Sequence, residues 1–139
     1  MRLARTVSHE LGLAPMPPPS SMVFVVDDDI SVRESLELLF QNEGWQAKTF
    51  ESAQEFLDYR RALIPSCLIL DVMMPGMTGL DLQQELTRRG REIPVIFITA
   101  RKDEALRARA FKQGAVKFLN KPFSDTALLE ALNLALPGN

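Results

Sequence analysis

Cys67-Leu68-Ile69-Leu70-Asp71-Val72-Met73-Met74-Pro75-Gly76-Met77-Thr78-Gly79 is the stretch on which the fold turns. An apolar run without alternation ends on a carboxylate. Pro75, Gly76 and Gly79 then make a tight loop, and Thr78 can cap a helix from 79 to about 89. Apolar residues at successive positions fit a strand covered by helices on both faces. The same grammar recurs on either side. Val23-Phe24-Val25-Val26 runs into Asp27-Asp28-Asp29, and residues 31–43 carry Val32, Leu36, Leu39 and Phe40 at helical spacing, with Gly44 as the stop. Residues 46–50 read as a short strand, and Ser52-Ala53-Gln54-Glu55 has the spacing of a capping box opening a second helix. Val95-Ile96-Phe97-Ile98 runs into Thr99, and residues 103–113 read as a helix stopped by Gly114. Residues 116–119 form a fifth strand leading to Lys121, and Ser124 opens a last helix that Pro137-Gly138 ends. Five strand–helix units with right-handed crossovers predict an α/β fold built on a doubly wound, five-stranded parallel sheet. The order of the strands does not follow from this pattern. In such sheets ligands bind beyond the carboxyl ends of the strands, where the order reverses.

Composition narrows the function classes. At 139 residues the chain has the length of one domain able to bury a core. Residues 1–21, rich in proline toward their end, read as a disordered N-terminal extension, 22–136 as the folded domain and 137–139 as a C-terminal tail. The formal net charge is −2, and the domain without the extension holds 14 basic and 17 acidic residues. Nothing there favours nucleic-acid binding by this chain alone. The one cysteine, Cys67, sits in an apolar run, and the one histidine, His9, sits in the extension, so a cysteine–histidine nucleophile is not expected. No apolar run is long enough to span a membrane and the N-terminus lacks a secretory core, so a cytoplasmic protein is the expectation.

The ends of the runs carry the chemistry. Parallel strands would bring Asp27, Asp28, Asp71, Thr99 and Lys121 to one edge. Carboxylates suit a hard divalent cation such as Mg2+ or Mn2+, and clustered negative charge resists ionisation without one. Asp71, leading into a tight loop, can act as a nucleophile toward phosphorus. Asp29 has a plainer reading, as a carboxylate at the start of a helix. Thr99 alone would pass for a strand-end residue and Lys121 for a solvated one; beside the carboxylates they suit a phosphoryl group.

These residues resemble a known family. Phe24-Val25-Val26-Asp27-Asp28, Leu70-Asp71-Val72-Met73-Met74-Pro75-Gly76, Ile98-Thr99-Ala100 and Lys121-Pro122-Phe123 match, in order and spacing, the motifs of the receiver domain of two-component response regulators. The wording from Val23 to Leu36 looks most like the FixJ-type subfamily. The resemblance implies a flavodoxin-like strand order 2-1-3-4-5. It makes Asp71 the phosphoacceptor for a histidine of a sensor kinase or histidine phosphotransfer protein. Asp28, Asp71 and the Met73 backbone carbonyl would bind Mg2+, and Asp27 a water on the metal. Thr99 and Lys121 would bind the phosphoryl oxygens, Phe118 would turn inward as Thr99 moves, and the Lys121–Pro122 bond would be cis. Met73 and Arg101 occupy positions that tune phosphate lifetime, and a methionine there predicts slow loss of phosphate.

On this reading the chain is a signalling switch rather than an enzyme with a separate substrate. Its output surface is the fourth helix, fifth strand and fifth helix. In the last helix Leu128, Leu129, Leu132 and Leu136 form a stripe, while Ala127, Ala131 and Leu134 widen it, which predicts a phosphorylation-dependent homodimer or partner contact. Two alternatives compete. One is the receiver half of a transcription factor whose helix-turn-helix domain lies outside this chain. The other is an aspartyl-phosphate phosphatase, for which Asp71-Val72-Met73 lacks the second aspartate of a D-x-D pair.

Overall fold

The computed structural model describes residues 21–60 and 65–136. The expectations for residues 1–20 and 137–139 lie outside the described residues. Five strands and five helices alternate: β1 (Met22–Val26), α1 (Ile30–Asn42), β2 (Gln46–Phe50), α2 (Ala53–Asp58), β3 (Ser66–Asp71), α3 (Gly79–Arg88), β4 (Val95–Thr99), α4 (Glu104–Lys112), β5 (Lys117–Asn120) and α5 (Asp125–Ala135). The sheet is parallel with order β2-β1-β3-β4-β5. The chain therefore reverses direction across the sheet between β1 and β3, and that switch point opens a crevice at their carboxyl ends.

Alternate residues of each strand feed opposite layers, because side chains on a strand point to opposite faces. Phe24, Val26, Leu68, Leu70, Val95 and Phe97 pack with Phe56 and Leu57 of α2, Leu82 and Leu86 of α3 and Ala110 of α4. Val23, Val25, Cys67, Ile69, Ile96 and Ile98 pack with Leu36 and Phe40 of α1 and with Leu128, Ala131 and Leu132 of α5. Burial on both faces is why β1, β3 and β4 read as unbroken apolar runs. β2 lies at an edge and alternates exposed and covered positions, as its mixed sequence implies.

The boundaries shift slightly from the sequence reading. β5 covers Lys117–Asn120 rather than 116–119, because its ladder on β4 runs from Ile96↔Lys117 to Thr99↔Asn120. Asp103 and Gln113 flank α4 as its caps. At α2 half of the capping box forms. Ser52 accepts from the Glu55 amide, but the Glu55 carboxylate takes the Glu51 amide instead of that of Ser52. A reciprocal box does form at α3, between Thr78 and Asp81. Along α5 and its C-cap, Leu136, the apolar residues divide. Leu128, Ala131, Leu132 and Leu136 are buried, so Ala131 belongs to the core, whereas Leu134 is 62% exposed.

Candidate functional site

Each site residue is placed by the end of a strand. Asp27 follows β1 and is fully buried; its amide donates to the Phe50 carbonyl at 3.1 Å, continuing the β1–β2 ladder. One carboxylate oxygen accepts from the Asp29 amide at 2.9 Å, and the other lies 2.9 Å from Lys121 Nζ. Asp29 accepts from the Ser31 amide and caps α1, as its plainer reading held. Asp71 ends β3 and is 5% exposed. Its Oδ1 accepts from the Met73 amide at 3.2 Å, and Oδ2 lies 3.8 Å from Lys121 Nζ. Asp28 stands exposed at the mouth, and single oxygens of Asp27, Asp28 and Asp71 lie within 4.8 Å of one another.

Burial pushes the Asp71 carboxyl up to about 7; the Asp27 charge adds to the rise, and Lys121 and the Met73 amide oppose it. A pocket that resists a further negative charge in this way suits a cation. The donor set fits a hard divalent ion, being all oxygen, with one face open through Asp28.

Thr99 ends β4, fully buried, with Oγ1 accepting from the Arg101 amide at 3.1 Å. The Thr99 carbonyl accepts the Lys121 amide at 2.7 Å, which holds the start of the β5–α5 loop against β4. The Lys121–Pro122 bond is cis. Phe118 is buried, facing Phe97 at 6.5 Å between ring centroids. Met73 is exposed beside Asp71. Arg101 Nε lies 3.6 Å from the carboxylate of Asp103, the cap of α4, and 60% of its side chain is exposed. The thiol of Cys67 is buried and pushed up to about 12 by desolvation, so it stays protonated and inert.

Three contributors escaped the sequence reading. Arg33 of α1 donates to the Asp27 carbonyl at 2.7 Å. Asn120 donates to the Arg101 carbonyl at 3.1 Å, closing the loop after Thr99. Arg107 of α4 donates to the Phe118 carbonyl at 3.3 Å, with its guanidinium 5.9 Å from the Phe118 ring centre. All three act through backbone carbonyls, which leave no motif; only Arg33 has a sequence signal, its place on the first turns of the helix that follows the acidic triplet.

The response regulator receiver domain, as a family, matches residues 23–133. The chain belongs to that family. It is 50% identical over 112 residues to nodulation protein W of Bradyrhizobium diazoefficiens, covering 81% of this chain and 49% of that protein. It is 43% identical over 119 residues to the transcriptional regulatory protein FixJ of Azorhizobium caulinodans, covering 86% of this chain and 56% of FixJ. The crystal structure of FixJ-N superposes with a TM-score of 0.78 at 36% identity, covering 84% of this chain and 93% of that one. The receiver fold and the FixJ-type likeness thus stand. This receiver spans about half the length of the curated relatives it matches. A receiver is a signalling module of two-component systems, which sets the phosphatase alternative aside. Among the described residues no helix is long and apolar enough to cross a membrane.

Proposed function

We propose that this receiver takes a phosphoryl group onto Asp71 from a histidine of a sensor kinase or histidine phosphotransfer protein, in the cytoplasm. The observation that carries the reading is the grouping of a buried Asp71 with two further carboxylates and the Lys121 ammonium at the sheet's switch point. One Asp71 oxygen attacks phosphorus. A P–O bond forms, the P–N bond to the donor imidazole breaks, and the imidazole leaves with the electron pair and takes up a proton. Asp28, Asp71 and the Met73 carbonyl would hold Mg2+ or Mn2+, with Asp27 holding a water on the ion. When bound, the cation supplies the positive charge that keeps the carboxylates ionised and offsets charge on the phosphoryl oxygens. Lys121 Nζ and the Thr99 hydroxyl bind those oxygens, and phosphorylation favours the arrangement in which Phe118 is buried, as it is here.

The test uses Mg2+ with a small acyl-phosphate donor. Wild type should take up one phosphoryl group and Asp71→Ala none; equal uptake by the variant would refute the assignment. Met73 has no side-chain oxygen or nitrogen to orient a water, which supports slow loss of phosphate. The half-life of the purified phosphoprotein checks this.

The output surface is α4, β5 and α5. An open cavity of about 480 Å3 lies there, lined by Lys117, Leu119, Ala127, Glu130, Asn133 and Leu134. It supports a contact surface on this face, and we propose that a homodimer formed on phosphorylation uses it. A second reading is favoured by the names and lengths of the relatives: the receiver half of a DNA-binding regulator. The length of the natural reading frame decides it.

A further inference from the structure

The loop from Asp71 to Gly79 closes on itself through the backbone. The Gly79 amide donates to the Val72 carbonyl at 2.9 Å, so the first residue of α3 lies against the phosphoacceptor's own main chain. A Cβ on Gly79 would sit 3.0 Å from Val72 Cα and 3.1 Å from the Asp71 carbonyl carbon, and closer still to the Asp71 carbonyl oxygen. Those neighbours are backbone atoms, so no rotamer change relieves the clash. Neither side of the contact yields easily. Asp71 is fixed in the β3–β4 ladder against Ile98, and the start of α3 is fixed by the reciprocal Thr78–Asp81 cap.

We infer that Gly79 is a positioning residue for the site: its missing side chain lets α3 seat on Asp71–Val72 and so sets where the Asp71 carboxylate and the Met73 carbonyl stand. Gly79 touches neither cation nor phosphoryl group and acts only through that backbone. The inference rests on the reading of Asp71 as phosphoacceptor. A side chain here would tilt the segment that carries two cation donors and the nucleophile, and leave the rest of the sheet intact.

Gly90, just past the other end of α3, makes a matched control. Its φ is +69, and nothing lies within 4 Å of a Cβ built on it. Gly79→Ala and Gly90→Ala should both lower thermal stability, the second through backbone conformation alone. Only Gly79→Ala should weaken Mg2+ binding, by tenfold or more in calorimetry well below its melting temperature, and slow acyl-phosphate uptake in step. Equal Mg2+ affinity in Gly79→Ala and wild type overturns the inference, as does an equal loss in both variants. Wild type that takes up no phosphoryl group at Asp71 sinks the underlying reading instead. Hydrogen exchange on wild type covers the case in which Gly79→Ala fails to fold. Mg2+ with beryllofluoride should slow exchange of the Gly79 amide and leave that of Gly90 unchanged. No change at Gly79 counts against the inference.

Discussion

Asp71 is where residue-scale electrostatics meets function. Its carboxyl is raised to about 7 in the folded chain, chiefly by burial and then by Asp27. An unfolded aspartate titrates near about 4. Between these values the folded state holds a proton that the unfolded state has lost, so metal-free stability falls as pH rises toward 7 and levels off above it. Asp71→Asn keeps an acceptor for the Met73 amide and removes the charge. In chelator at pH 8 it should be more stable than wild type by about 1–3 kcal/mol in urea unfolding, with the gain gone near pH 4. Equal stability at pH 8 would show that the buried carboxylate carries no penalty. The same proton competes with a cation, so the Mg2+ dissociation constant should rise by up to about tenfold per pH unit below 7. A titration series from pH 8 to pH 5.5 measures it, and a flat profile would mean that Asp71 is not a ligand.

At the scale of elements, α5 separates packing from surface. Leu132 is fully buried and Leu134 is 62% exposed on the same helix. Leu132→Ala should cost about 2–5 kcal/mol through the cavity it leaves. Leu134→Glu should change stability by less than about 0.5 kcal/mol, because it breaks no packing. It should nevertheless reduce association in beryllofluoride, read by sedimentation; unchanged association would place the interface elsewhere. Periodicity showed that this helix has a wide apolar face, but not which residues the sheet covers. Ala131 and Leu134 are three positions apart, and only docking against Ile96 and Ile98 consigns one to the core. The α2 capping box shows a similar limit. Spacing places Glu55 one turn along, yet its long carboxylate can reach either of two neighbouring amides, and it takes that of Glu51.

Over the whole molecule, topology made the site readable. Asp27, Asp71, Thr99 and Lys121 each follow an apolar run, and a parallel sheet must bring such ends to one edge. Strand order was not readable from the pattern, since a buried run records that both faces are covered and not which strand lies beside it. The tie between α4 and β5 was also hidden, because Arg107 reaches Phe118 through a carbonyl and a ring face. Arg107 fastens α4 to β5 while Phe118 is buried, and its guanidinium also lies 5.0 Å from the Phe111 ring centre. In a switch with two arrangements, a group that favours one raises the affinity of any ligand that favours the same one. If the phosphorylated arrangement buries Phe118, Arg107→Ala removes part of that bias. A cation–π contact and a hydrogen bond at a partly exposed site together contribute on the order of 1 kcal/mol. Beryllofluoride should then bind Arg107→Ala about three- to tenfold more weakly than wild type in saturating Mg2+, with Mg2+ affinity alone less affected. Tighter binding by the variant would mean that Arg107 holds the receiver in its unphosphorylated arrangement, and that the buried Phe118 belongs to the resting state.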